Sequence, residues 1–277
     1  MQRSATPSTK ESAFVQRYGP WALVTGASDG IGREFARQLA ARGLNLVLVA
    51  RRAQLLEELG AKLAGEHHVD CRVVPADLAD PDALSQLVQA TADIDVGIVV
   101  AAAGFGTSGP LIEAPLAGEI EMLTVNCTAV LALAWHFGRR LAERGRGGLV
   151  LMSSLLACAG APQAANYAAS KAYIQSLAEG LRAELAPLGV DVISSAPGPV
   201  RSGFAERANM QMSTTTAADV VARKTLHALG RTTTVRPGAL SKLLSWSLGM
   251  LPRGLRVPIL GAVMRSMVVR ESVTRGS

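Results

Sequence analysis

The segment Thr25-Gly26-Ala27-Ser28-Asp29-Gly30-Ile31-Gly32 constrains this chain more than any other. It follows the apolar run Trp21-Ala22-Leu23-Val24 and precedes Ile31 to Arg42, which has helical spacing. A strand, a glycine-rich turn and a helix in that order can turn backbone N–H groups toward a pyrophosphate at a helix amino terminus. Gly26 permits the tight turn, Gly30 lets phosphates approach the backbone, and Gly32 lets the helix pack closely on the strand. A bare structural turn needs the same glycines, so the segment acquires its meaning from the rest of the chain.

The alternation continues beyond Arg42. Apolar runs at Leu44–Ala50, Cys71–Pro75, Asp95–Ala103, Gly148–Ser153 and Val190–Ala196 read as strands. Between them Gln54–Ala64, Asp82–Ala92, Glu119–Arg144 and Asn166–Leu188 read as helices. Strands alternating with helices specify a parallel sheet, because each right-handed crossover returns the chain over one face. With 49% of residues apolar there is material for a sheet buried on both sides. The expected architecture is a single-domain, doubly wound α/β fold over residues 18–236, after a leader at 1–17 and before a basic amphipathic extension at 237–277. Ala217–Leu229 reads as a helix and Thr232–Val235 as a last strand. In the extension, Leu240, Leu243, Leu244, Leu248 and Leu251 form one apolar stripe, and Leu260, Val263, Met264, Met267 and Val268 another.

Charge is divided unevenly. Residues 1–230 hold 20 basic and 21 acidic side chains, whereas residues 231–277 hold 8 basic and 1 acidic. A neutral main body argues against nucleic acid as a partner. The cysteines, Cys71, Cys127 and Cys158, are odd in number and lack metal-ligand spacing. No metal is expected, and the compartment expected is reducing and cytoplasmic. Residues 1–17 lack the continuous apolar core of a secretory signal. No stretch is expected to span a bilayer. The basic tail either packs on the same or a neighbouring subunit around the substrate entrance or lies on anionic lipid.

The end of the second strand reads Val49-Ala50-Arg51-Arg52. NAD sites usually carry an acid there for the ribose 2′-OH; here two guanidinium groups are available to grip a 2′-phosphate instead. The cofactor expected is therefore NADP(H). Asp77 and Leu78, after the third strand, are candidates for the adenine side.

Tyr167 and Lys171 lie four positions apart, on one face of a helix. Ser154 follows the fifth strand, at the carboxyl edge where open parallel sheets bind ligands. In this arrangement Tyr167 donates a proton to a carbonyl oxygen as hydride arrives, Lys171 lowers the phenol pKa, and Ser154 hydrogen-bonds the same oxygen. Asn126 is the remaining polar candidate, equally readable as a helix residue satisfied by backbone.

Together these motifs resemble the short-chain dehydrogenase/reductase family, over roughly Trp21 to Arg236, and with it a Rossmann-type fold. Thr25 to Gly32 fits its Thr-Gly-x-x-x-Gly-x-Gly motif, and Asn126, Ser154, Tyr167 and Lys171 fall on its catalytic tetrad. Pro197-Gly198-Pro199-Val200 fits its nicotinamide-side turn. The resemblance implies that Asn126 holds a water in a proton relay reaching Lys171. It implies that Lys171 also bonds the nicotinamide ribose, that Val200 contacts the carboxamide through its backbone, and that Ser202 takes a place often held by Thr. It also implies a homo-oligomer. One departure stands out: Ala101-Ala102-Ala103-Gly104 replaces the family's Asn-Asn-Ala-Gly, so Ala102, Ala103 and Gly104 can border the cofactor only through backbone and small side chains.

The function expected is an NADPH-dependent oxidoreductase moving a hydride between nicotinamide and a carbonyl or alcohol on an apolar substrate. Its pocket is expected along Phe105–Leu111, Leu155–Pro162 and Phe204–Met212, which are apolar or small. The competing readings are a catalytically silent NADPH-binding regulator and a membrane-surface protein that works through its basic tail.

Overall fold

The computed structural model describes residues 9–200, 215–238, 241–242, 247–248 and 250–267. Seven parallel strands form one sheet in the order β3-β2-β1-β4-β5-β6-β7. They are β1 (Trp21–Thr25), β2 (Asn45–Ala50), β3 (Cys71–Pro75), β4 (Val96–Ala101), β5 (Gly147–Met152), β6 (Val190–Ser195) and β7 (Thr234–Val235). The order reverses between β1 and β4, and a crevice opens at that switch point, beyond the carboxyl ends of the strands.

The period of two along each strand divides the side chains between two cores. In β1, Ala22 and Val24 face one layer and Leu23 faces the other. The first layer holds α1 (Thr9–Tyr18), α2 (Gly30–Ala40), α3 (Ala53–His67) and α8 (Ala218–Ala228), through Phe14, Phe35, Leu56 and Val221 among others. The second holds α4 (Ala83–Gln89), α6 (Ala129–Arg144) and α7 (Ala165–Leu185), through Leu87, Phe137 and Ile174. A sheet covered on both faces needs near-continuous apolar strands, which is why β2 and β4 read as unbroken runs.

Three features depart from the sequence expectation. First, α1 crosses the boundary drawn between leader and domain at residues 17 and 18. Phe14 and Val15 pack on the core, and the Phe14 and Tyr18 rings lie 4.7 Å apart. Asp191 ties its end down, accepting from Arg17 Nε at 2.5 Å and from the Tyr18 hydroxyl at 2.6 Å. Second, the helix expected over Glu119–Arg144 begins earlier, as α5 (Leu116–Leu123), and is interrupted by a π turn at Thr124–Thr128 before α6. Third, the span Leu116–Arg144 is long and apolar enough to cross a membrane by length and composition, against the expectation that no such stretch exists. Its inner face, including Leu133, Phe137 and Leu141, is buried against the sheet, as in a core helix of this layer.

In the extension, α9 (Arg253–Met267) carries Leu260 and Met264, which with Leu248 pack on Ala159, Ala161, Ala164 and Ala168. This is a satellite core apart from the two sheet layers. Leu240, Leu243, Leu244 and Val268 of the expected stripes lie outside the described residues, as do Ser202 and the Phe204–Met212 loop.

Candidate active site

A cavity of about 550 Å³ occupies the switch-point crevice. At one end the glycine turn joins β1 to α2. Gly26 and Gly30 have φ of 67° and 51°, the left-handed region that glycine enters at no steric cost. A Cβ on Gly32 would lie 2.2 Å from the Gly26 carbonyl oxygen, so only glycine lets the helix meet the turn. Ser28, Asp29, Gly30, Ile31 and Gly32 line the cavity with Gly26. Asp29 also caps α2, its carboxylate accepting from the Gly30 N–H at 2.7 Å. Thr25 is buried beneath the turn rather than along the cavity wall; its Oγ1 accepts from Ala103 N–H at 3.1 Å and braces β1 against the end of β4.

Arg51 and Arg52 leave the tip of β2 and line the same end. Arg52 Nη2 donates to Ser28 Oγ at 3.0 Å, joining the basic pair to the glycine turn. Arg51 stands 3.7 Å from Asp77 across a solvent-exposed pair that holds neither side chain firmly. Asp77, Leu78, Ala102, Ala103 and Gly104 line the wall as expected. With no Asn at 101 and 102, the backbone itself forms that wall, and Ala103 sits so close that a Cβ on Gly26 would come within 2.9 Å of its Cα. Backbone N–H groups at a helix start, room beside them and two cations at the strand tip fit a phosphorylated dinucleotide.

At the other end Ser154, Tyr167 and Lys171 converge on the cavity. Ser154 lies two residues beyond β5 in extended conformation and caps a short 3-10 turn, its Oγ accepting from Leu156 N–H at 3.2 Å, and it shares a side-chain hydrogen bond with Tyr167. Burial pushes the Tyr167 phenol up to about 12, the bond to Ser154 opposing that rise. Burial pushes Lys171 down to about 8. Lys171 Nζ donates to the Met152 carbonyl at 3.0 Å and lies 5.7 Å from the centre of the Tyr167 ring. The net shift of the phenol is upward, burial exceeding the opposing bond to Ser154, and Lys171 is not among its causes.

Asn126 sits in the π turn, fully buried and outside the cavity wall. Its amide is engaged at both ends: Oδ1 accepts from Phe105 N–H at 3.1 Å, and Nδ2 donates to Phe105 O at 2.9 Å and to Ser170 Oγ at 3.2 Å. Gly104 fits between these groups, since a Cβ there would lie 2.7 Å from Asn126 Oδ1. Pro197, Gly198 and Val200 close the cavity's far wall.

The roof comes from the C-terminal extension, where one of the two sequence readings of the tail puts it, although that reading does not name the residues that line it. Leu248, Ile259, Leu260, Val263 and Met264 line the cavity together with Phe105, Leu155 and Leu156. Their apolar spacing was legible, but nothing local says what a stripe packs against. Among the described residues, no group of His, Cys, Asp or Glu side chains could hold a metal ion.

Comparison with known proteins agrees with this geometry. Residues 20–213 match the family model described as short chain dehydrogenase. The chain is 36% identical over 185 residues to a 7beta-hydroxysteroid dehydrogenase of Clostridium sardiniense, covering 67% of this chain and 71% of that one. It is 31% identical to a very-long-chain 3-oxoacyl-CoA reductase of Phaeosphaeria nodorum, covering 94% of this chain and 80% of the relative. A short-chain dehydrogenase from Sphingobium yanoikuyae, solved in complex with NADPH, superposes with a TM-score of 0.76 at 29% identity, covering 85% of this chain and 97% of that one. Fold, cavity and family model converge, and the chain belongs to the short-chain dehydrogenase family of oxidoreductases.

Proposed function

We propose that the chain is an NADPH-dependent reductase of apolar carbonyl compounds, working reversibly on the corresponding alcohols. The observation that carries this reading is the convergence of Tyr167, Ser154 and Lys171 on a cavity whose opposite end holds a glycine turn and two arginines. Reduced nicotinamide supplies the hydride when bound. Tyr167, protonated up to about pH 12, holds the proton that the product oxygen needs. Ser154 orients the carbonyl toward that phenol. Lys171 sets the local charge, and Asn126 fixes the Phe105 backbone that borders them. The Arg51 and Arg52 guanidinium groups favour a 2′-phosphate over a bare 2′-hydroxyl. The wall of leucines, isoleucine, valine and methionine excludes water and favours an apolar body around the carbonyl. Relatives named for hydroxysteroids and for long-chain 3-oxoacyl thioesters make those two classes the first to try.

The test follows NADPH absorbance with a panel of ketosteroids, 3-oxoacyl thioesters and simple ketones. Turnover is expected with at least one apolar carbonyl, and Tyr167→Phe is expected to lower it by at least ~10²-fold while leaving NADPH bound. Equal turnover in the Phe variant would remove Tyr167 from its role, and NADPH binding with no turnover across the panel would favour the silent regulator.

Two further surfaces suit contacts. Leu116, Ile120, Leu131 and Trp135 are exposed along the α5–α6 span, a seam suited to a second copy of the chain. The outer side of α9 exposes Leu255 and Ile259 in a region where basic residues outnumber acids 8 to 1, which suits peripheral contact with anionic lipid. Light scattering tests the first. Sedimentation with anionic and neutral vesicles tests the second, and a chain that stays in the supernatant at low salt ends the lipid reading. Cys71, Cys127 and Cys158, none of them in a disulfide among the described residues, suit a reducing, cytoplasmic setting.

A further inference from the structure

The turn Pro197-Gly198-Pro199-Val200 has unusual chemistry as a length of backbone. The pyrrolidine rings fix φ at Pro197 and Pro199 and remove both N–H groups. Gly198 is therefore the one loose joint between two stiff residues, and only Gly198 and Val200 have an N–H to donate. The carbonyls on either side are held: Pro197 O accepts from Leu155 N–H at 2.9 Å, and Pro199 O accepts from Thr216 N–H at 2.8 Å, with Val200 and Thr216 paired as a parallel bridge. These bonds anchor the two ends and leave the glycine between them.

Ser241 closes that joint. Its side chain is buried, 2% exposed, and its Oγ accepts from the Gly198 N–H at 2.8 Å. The fit is close, since a Cβ at position 198 would stand 2.6 Å from the Ser241 Oγ. Ser241 comes from the extension beyond β7, a part of the chain no motif connects with the cofactor, and it opens the segment that leads to Leu248 and the roof. One hydroxyl thus fixes the glycine between the two prolines and takes up one of the turn's two donors.

We propose that Ser241 is a positioning residue for the nicotinamide end of the site: by holding Gly198 it fixes the backbone through which the Pro197–Val200 turn meets the cofactor. This rests on the proposed binding of NADPH in the cavity and adds to it a residue outside the family's motifs. A residue that only fastened the extension to the domain would alter stability, and any change in binding would extend to the whole nucleotide. A residue that positions this turn acts on the nicotinamide half alone.

The experiment compares the affinity of the full chain and of Ser241→Ala for NADPH and for 2′,5′-ADP, which carries the adenine and the 2′-phosphate but no nicotinamide. Ser241→Ala is expected to weaken NADPH about tenfold while 2′,5′-ADP stays within twofold. Ser241→Cys keeps the volume while weakening the acceptor, and gives the same split should the alanine chain fail to fold. Equal weakening of both compounds, or no weakening of either, overturns the role given to Ser241. Failure of the unaltered chain to bind 2′,5′-ADP at all overturns the nucleotide reading itself.

Discussion

Asn126 and Phe105 exchange a reciprocal pair of hydrogen bonds, the amide of one closing on the backbone N–H and C=O of the other at 3.1 and 2.9 Å. The pair joins the π turn to the loop leaving β4, and so holds Gly104 beside Lys171. It also fixes what Asn126 can do. Oδ1 receives one bond and Nδ2 spends both its hydrogens, on Phe105 O and Ser170 Oγ, so the side chain serves the protein first. A relay water of the kind the family resemblance implies would rest on the backbone carbonyls that a π turn leaves less regularly paired.

The consequence is measurable. Asn126→Ala strands a buried N–H and a buried C=O, at roughly 1–3 kcal/mol for each unsatisfied group. A total of about 3 kcal/mol corresponds to a melting temperature lower by roughly 6–12 °C for a chain of this size. Thermal denaturation checks it, and an unchanged midpoint would mean that Phe105 finds other partners.

The two titrating groups give a pH profile with a definite sign. Burial holds the Tyr167 phenol up to about 12, so the protonated form that the proposed reduction uses is present throughout the working range. Lys171 loses its charge as pH rises past about 8. The kcat/KM for carbonyl reduction reports groups of the free enzyme, so it is expected to be level below about pH 8 and to fall above it. Alcohol oxidation needs the phenolate and should climb with pH instead. Reduction that stays level up to about pH 10, two units past the lysine's midpoint, would show that its charge is not required.

These groups also mark how far the sequence is legible. The central strands can be read because a sheet buried on both faces demands unbroken apolar runs, whereas the partly exposed edge strands β3, Cys71–Pro75, and β7, Thr234–Val235, are placed by the alternation with helices. The convergence of Ser154, Tyr167 and Lys171 is legible because strand ends and a four-residue helical step determine it. The π turn is not, since one residue of extra winding barely disturbs apolar spacing while changing which backbone groups pair. Helix α1 hides in a polar composition, and the available signal was Phe14 and Tyr18 at positions i and i+4. The engagement of Asn126, the bond from Arg52 to Ser28 and the seat of α9 on small alanines depend on side chains meeting across long sequence distances, which no local pattern records.

The proposed preference for NADPH rests on the basic pair. Charge-assisted bonds to a phosphate are worth roughly 1.5–3 kcal/mol. Arg51→Ala and Arg52→Ala should each cut the ratio of kcat/KM with NADPH to that with NADH by about tenfold or more. Because Arg52 is fastened to Ser28 Oγ, Ser28→Ala should lower the ratio in the same direction by a smaller factor. Equal kcat/KM for the two cofactors in the unaltered chain would reduce the arginines to surface charge.

The roof gives the last prediction. Ile259 both lines the cavity and remains 41% exposed, so it stands at the mouth, whereas Leu260 and Met264 are buried in the satellite core. Substituting Leu260 or Met264 would disturb packing as well as shape, at roughly 2–5 kcal/mol for a buried truncation to alanine. Ile259 separates the two effects. Ile259→Trp adds bulk where the substrate must pass, and differences of one or a few methylenes in an apolar pocket are worth about 10–200-fold. The expected outcome is a loss of at least about tenfold in kcat/KM for a rigid, bulky ketone, with a small linear ketone nearly unaffected and the melting temperature unchanged. Ile259→Ala should move the preference the opposite way. Parallel losses for both ketones in the Trp variant would place the mouth elsewhere and leave α9 as a cover without a voice in substrate choice.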